Sequence, residues 1–201
     1  MTDTVVKKLD IRTISRSELD AAYFLMSDER KAKCDGYKLY NDKRLCIASD
    51  MLLRRMLSEV TGINETEFEF SVDEKGKPYL MNYSCNFNIS HSGEYVAVCV
   101  NKTKKTGIDI EKIRPVKYSL IERVCSEAEK QFVISDYYIN SDVTENEAVC
   151  ERFFRVWTYK EAFLKLTGEG ISRELNTVIY SPEECTCEIS DGYCMTVITE
   201  K

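Results

Sequence analysis

The stretch Tyr95-Val96-Ala97-Val98-Cys99-Val100-Asn101-Lys102-Thr103-Lys104-Lys105-Thr106-Gly107-Ile108-Asp109-Ile110-Glu111 decides the architecture. Its first six residues are an uninterrupted apolar run of strand length, the pattern of a buried strand. Residues 101–105 are short, polar and basic, which makes them the best internal boundary in the chain. Residues 107–111 alternate as a second strand, which Pro115 stops. On the N-terminal side, residues 87–90 alternate and Ser92-Gly93-Glu94 can turn, so a strand pair precedes the boundary. Earlier still, Leu45, Ala48, Leu52, Met56 and Val60 recur at helical spacing from about Asp42, and Gly62 supplies a stop. Ser27-Asp28-Glu29 offers caps for a polar helix through about Tyr40, residues 68–72 read as a strand, and residues 73–78 as a turn.

The C-terminal side repeats this mixture. Ser126-x-x-Glu129 is a capping box that heads a helix through about Tyr137, and residues 140–146 read as a loop. A long helix runs from about residue 148 to 167 and closes at Gly168, followed by short strands near residues 177–180 and 193–199. The fold class is therefore α/β (α+β) with two halves, 1–104 and 105–201, whose similar make-up permits an internal duplication.

The 201 residues are 43% apolar and 31% charged, an ordinary globular balance. With 28 basic and 34 acidic residues the net charge is −6, a poor field for nucleic acid or an anionic membrane. Residues 1–106 carry 17 basic against 16 acidic residues, and residues 107–201 carry 11 against 18. One half is thus suited to an anion and the other to a cation. No run approaches the roughly 18 apolar residues of a membrane span, and the first residues lack the apolar core of a signal peptide. Nine cysteines without a C-x-x-C pair point to a reducing cytoplasm rather than to zinc. Cys185-x-Cys187 would place two thiols on one face of a strand, packing as small hydrophobes.

Four constellations bear on chemistry. Asp109 and Glu111, two apart on a strand, project to one side while Ile108 and Ile110 face the core. Paired carboxylates suit a hard cation such as Mg²⁺, and equally describe two solvated acids on an edge strand. Trp157, Glu161 and Lys165 form a stripe at i, i+4 and i+8, either an ordinary surface pair or a partly buried acid beside a lysine. His91, the single histidine, lies between Ser90 and Ser92. Without a G-x-S-x-G elbow or a partner acid a serine hydrolase is a weak reading, and the three side chains are better suited to a phosphate. Basic residues including Arg30, Lys33, Arg44, Arg54, Lys75 and Lys77 give the first half a choice of anion partners, with no P-loop or Rossmann turn.

In order, Phe87-Asn88-Ile89-Ser90-His91-Ser92-Gly93, Gly107-Ile108-Asp109-Ile110-Glu111 and Trp157-x-x-Lys160-Glu161-Ala162-Phe163-x-Lys165-x-x-Gly168 resemble the Sfp-type 4′-phosphopantetheinyl transferases. Gly76-Lys77-Pro78 and Arg30-Lys31-x-Lys33 extend the likeness over about residues 25–175. The resemblance implies a pseudo-dimer of two similar subdomains with the active site between them. It implies transfer of 4′-phosphopantetheine from coenzyme A to a serine of an apo acyl or peptidyl carrier protein, releasing 3′,5′-ADP. It also implies Mg²⁺ on Asp109, Glu111 and Glu161, and catalytic roles for Glu161 and Lys165. Coenzyme contacts are implied for Arg30, Lys33, Lys75, Gly76, Lys77, Pro78, Ser90, His91, Lys160 and Lys165. The duplicated length argues for a monomer rather than the shorter trimeric synthases of the same chemistry. A non-catalytic coenzyme binder and an unrelated Mg²⁺-dependent phosphohydrolase are the competing functions; the presence of all three acids and Lys165 disfavours the first.

Overall fold

The computed structural model describes residues 4–74, 76–135, 142–170 and 174–201. They form two compact units, one reaching to Thr106 and including Thr199–Lys201, the other Gly107–Ile198.

In the first unit, β1 (Val5–Asp10), β5 (Tyr95–Asn101) and β4 (Asn86–Ser92) make an antiparallel sheet in the order β1-β5-β4. β5 is central and buried at every position, as its unbroken apolar run requires. Three helices, α1 (Arg16–Leu25), α2 (Asp28–Gly36) and α3 (Tyr40–Thr61), separate β1 from a two-stranded ribbon, β2 (Phe70–Val72) and β3 (Pro78–Leu80). The periodic face of α3, with Ala48, Met56 and Leu57 fully buried, packs with Val96, Val98 and Val100 of β5 in one core. Gly62 ends α3 at φ 78°, a left-handed position that only glycine adopts at little cost. Ser27 does cap α2, but the helix stops at Gly36 instead of running to Tyr40. Tyr37 takes an extended conformation, and Tyr40 opens α3.

The second unit repeats this connectivity. β6 (Thr106–Lys112), β10 (Tyr193–Thr199) and β9 (Cys185–Ser190) form a sheet in the order β6-β10-β9: opening strand, last strand, penultimate strand. Between them lie β7 (Val116–Lys117), α4 (Tyr118–Val124), α5 (Glu127–Ile134), β8 (Val143–Thr144) and the long α6 (Glu147–Thr167). In both units a long helix precedes a terminal hairpin whose last strand pairs with the opening strand. The chain is thus a mixed helix–sheet protein of two similar subdomains.

Ser126 and Glu129 make the expected capping box on α5, but the helix closes at Ile134, with Ser135 at φ 50°, instead of running to Tyr137, which lies outside the described residues. The penultimate strand lies at Cys185–Ser190 and not at residues 177–180, where Thr177 N–H turns back to Glu174 O. A hairpin to β10 needs a tight turn, and Asp191 and Gly192, at φ 56° and 76°, supply one only there. β1, α1 and α4 are short elements that the periodicity did not announce.

Candidate active site

Gly107 explains how β6 meets α6. A Cβ built on it would lie 2.0 Å from Ala162 O and 2.8 Å from the Leu166 nitrogen. Only a residue without a side chain allows the strand to touch the helix backbone here. That contact brings Asp109, two residues on and on the same face of β6, to Lys165, one turn along α6. Lys165 Nζ donates to Asp109 Oδ1 at 2.7 Å and to Ile108 O at 3.1 Å. Asp109 is 4% exposed while the Lys165 side chain keeps 29%. Ile108 and Ile110 are fully buried, as the alternation predicted.

Glu161 lies one turn before Lys165 on α6. Burial pushes its carboxyl above the usual range, Asp109 and Glu111 push the same way, and Lys165 opposes them. Three carboxylates therefore act on one another around one ammonium, which answers for Glu161 the question its sequence context left open. Glu111, further along β6, takes a guanidinium N–H from Arg114 at 3.3 Å, and that guanidinium lies over the Phe154 ring at 5.2 Å. Among the described residues no three His, Cys, Asp or Glu side chains stand close enough to cage an ion. The donor set nonetheless fits Mg²⁺, a hard cation that takes one or two carboxylates and completes its shell with water and substrate phosphates.

Lys160 points elsewhere. It is fully buried, its Nζ donating to Glu129 Oε2 at 2.6 Å and to Val124 O at 2.8 Å. The other Glu129 oxygen accepts from Tyr180 N–H at 2.7 Å. A lysine enclosed in this way ties α6 to α5 and offers nothing to a ligand, which departs from the coenzyme contact expected of it. Burial pushes Glu129 up, but Lys160 and the N–H groups of Ser126 and Tyr180 outweigh it and hold the carboxyl below its ordinary range. The Ser126 box was visible in the sequence; its second task, presenting Glu129 to Lys160, was not.

In the first unit, Arg30, Lys33, Gly76 and Pro78 line one cavity of about 150 Å³. Its wall includes Asp50, which pairs with Arg54 Nε at 2.7 Å. Arg54 also donates to Glu65 O at 2.8 Å and is almost entirely buried, so it fixes structure rather than holding an anion. Arg44 likewise donates to Ile11 O at 2.6 Å. The turn before β3 closes through Asp73, whose carboxylate accepts from Lys77 N–H at 2.8 Å, and Gly76 takes φ 80°. Lys77 itself lines a second cavity of about 110 Å³ with Lys105, and burial pushes its ammonium below the usual value. Lys75 lies outside the described residues. On β4, Ser90 is buried and His91 exposed, opposite Ala97 and Val96. Neither lines the cavity of Arg30 and Lys33.

Two family models match, "4′-phosphopantetheinyl transferase, N-terminal" over residues 13–103 and "4′-phosphopantetheinyl transferase superfamily" over residues 105–191. A Bacillus subtilis 4′-phosphopantetheinyl transferase is 30% identical over 186 residues, covering 90% of this chain and 79% of the relative. The 4′-phosphopantetheinyl transferase Sfp of B. subtilis strain 168 is 27% identical over the same shares. A Xenopus laevis L-aminoadipate-semialdehyde dehydrogenase-phosphopantetheinyl transferase is 26% identical over 171 residues, 82% of this chain and 57% of the relative. With its duplicated topology and its motifs in order, the chain belongs to the 4′-phosphopantetheinyl transferase superfamily, of the Sfp type, whose work is the transfer of phosphopantetheine.

Proposed function

We propose that this protein moves the 4′-phosphopantetheine of coenzyme A onto a serine of an apo acyl or peptidyl carrier protein, releasing 3′,5′-ADP. The observation that carries this reading is the group of Asp109, Glu111 and Glu161 around Lys165, assembled by the close approach at Gly107. In it, Asp109, Glu111 and Glu161 would supply the carboxylates for Mg²⁺, with water and substrate phosphates completing the shell, and the ion would supply charge stabilisation for the pyrophosphate. Lys165 is anchored on Asp109 yet still partly exposed, so it can neutralise the departing phosphate without losing its position. Glu161, whose proton affinity is raised by burial and its acidic neighbours, accepts the proton of the carrier's serine. The nucleophile comes with the carrier, consistent with the lack of any serine–base pair in the sequence. Arg30 and Lys33 bind the 3′-phosphate of the coenzyme, and Lys75, Gly76, Lys77 and Pro78 line its adenine; Ser90 and His91 are its remaining contacts.

The reading extends to a monomer acting in the cytoplasm. All nine cysteines are free, which accords with a reducing compartment. No helix among the described residues is long and apolar enough to cross a membrane.

The test is intact mass spectrometry of an apo carrier incubated with the protein and coenzyme A, with and without Mg²⁺. A metal-dependent gain of one phosphopantetheinyl group is expected. Phosphate release from nucleotides with no carrier modified would instead support the phosphohydrolase. Within the reaction, Asp109→Ala and Glu161→Gln should both abolish transfer. Near-normal transfer by Glu161→Gln alone would remove Glu161 as the base.

A further inference from the structure

Two thiols outside the machinery above lie against each other beneath α6. Cys187 of β9 and Cys194 of β10 are two register positions apart on the hairpin, since Cys187 faces Thr196 and Cys194 faces Ile189. Their sulfurs are 3.6 Å apart. Reaching the disulfide length of about 2.05 Å takes roughly 1.5 Å of closure at the sulfurs, and a shift of the hairpin backbone with it, because diagonal neighbours lie about 7–8 Å apart at Cα. Each sulfur has its own partner on α6. Arg155 Nη1 donates to the half-buried Cys187 at 3.4 Å, and Thr158 Oγ1 lies 3.4 Å from the fully buried Cys194. A cation thus attends the sulfur of the half-buried residue and a hydroxyl that of the enclosed one. Hydrogen bonding from Cys194 draws the Cys187 thiol down to about 6 against the effect of burial, with Thr196 and Arg155 helping. The thiol of Cys194 is pushed up by the same contact and by burial. Other buried thiols contrast with this pair: burial, against the pull of Lys160, pushes Cys125 up to about 12, and burial with the neighbouring thiol of Cys46 holds Cys34 at about 11.

From these contacts we infer that Cys187 and Cys194 form a reversible oxidation site for hydroperoxides, in which Cys187 attacks and Cys194 resolves. The Cys187 thiolate attacks one oxygen of hydrogen peroxide. An S–O bond forms, the O–O bond breaks, and the hydroxide released takes a proton from solvent. Cys187 becomes a sulfenic acid and the peroxide is reduced. The sulfur of Cys194 then attacks Cys187 Sγ. The S–S bond forms, the S–O bond breaks, and the proton of Cys194 leaves with the hydroxyl as water. In balance, two thiols and one peroxide give one disulfide and two waters. Arg155 stabilises the attacking thiolate. The site lies under the helix that carries Glu161 and Lys165, apart from the groups assigned to transfer.

The test uses the full, reduced chain with one equivalent of hydrogen peroxide, followed by thiol blocking and cleavage after glutamate. Cleavage after Glu188 puts the two cysteines on separate peptides unless they are bridged. The expected result is one bridged species, located at Cys187 and Cys194 by fragmentation and restored to two thiols by dithiothreitol. Cys194→Ser should accumulate a dimedone-reactive sulfenic acid at Cys187, and Arg155→Gln should slow its formation by about tenfold. Peroxide consumed first at another cysteine, with Cys187 and Cys194 both blocked as free thiols, would overturn the inference; so would a bridge from Cys185. Because the wild-type map is decisive, a variant that fails to fold does not protect the idea.

Discussion

Two ion pairs leave α6 only five residues apart, and they differ in nearly every physical respect. Lys160–Glu129 is closed: the side chains are 0% and 7% exposed, and the second carboxylate oxygen is taken by a backbone N–H. Lys165–Asp109 is open on one side, with 29% of the lysine and 6% of the aspartate exposed, and further acids around it. In the closed pair every charge is matched by protein, so its removal is felt as lost stability. In the open pair like charges are gathered around a lysine that stays partly exposed, an arrangement that favours chemistry over stability. Sequence proximity says nothing about which lysine has which task.

Breaking the closed pair should give the largest effect. Lys160→Met leaves Glu129 buried and uncompensated and is expected to cost about 3–5 kcal/mol, read as a lower denaturant midpoint. Lys160→Met combined with Glu129→Leu should regain part of that loss. An unchanged midpoint in the single variant would mean that the pair is not closed in solution. The open pair should show a second effect beside stability. Lys165→Met also strips a buried carboxylate, Asp109, of its ammonium and should cost about 3 kcal/mol. Transfer should in addition fall on the order of 100-fold, read by the rate of carrier modification.

Acid separates the pairs more gently. Glu129 is held below its ordinary value in the folded chain, so its contribution is complete above the unfolded-state value. It is lost as pH falls through the lower folded-state value. Unfolding free energy should therefore decline in that acidic window, and Glu129→Gln should flatten the decline. The smallest effect belongs to the exposed Arg114–Glu111 pair, where Arg114→Gln should alter stability by at most about 0.5 kcal/mol by thermal unfolding.

Much of the fold was legible because its signals are local. Ser27, Ser126 and Gly168 cap or end helices through atoms within four residues, and the apolar run of β5 specifies a central strand wherever it is placed. The end of α2 and the position of β9 were misjudged for a shared reason. A polar helix of nine residues gives no periodic face to measure, and β9 alternates between half-buried and exposed positions rather than burying a clean face. The candidate site is legible as motifs, because Asp109, Glu111, Glu161 and Lys165 all fall within them. Lys160 falls in the same motif, but its partners lie in α4 and α5, where no motif marks them. Gly107 carried a readable hint, a glycine at the start of a strand, but its helix neighbour did not.

By itself, the sequence determined the alternation of helices and strands, the two-part organisation and the order of the motifs, because periodicity, capping and turn chemistry act between residues a few positions apart. Only the tertiary structure decided which α6 lysine is enclosed and which is available, why residue 107 must lack a side chain, and that Cys187 touches Cys194. Those outcomes depend on contacts across 31 residues for Lys160–Glu129 and 56 for Lys165–Asp109. Such contacts are set by which face of a helix the rest of the chain covers, and no local pattern encodes that.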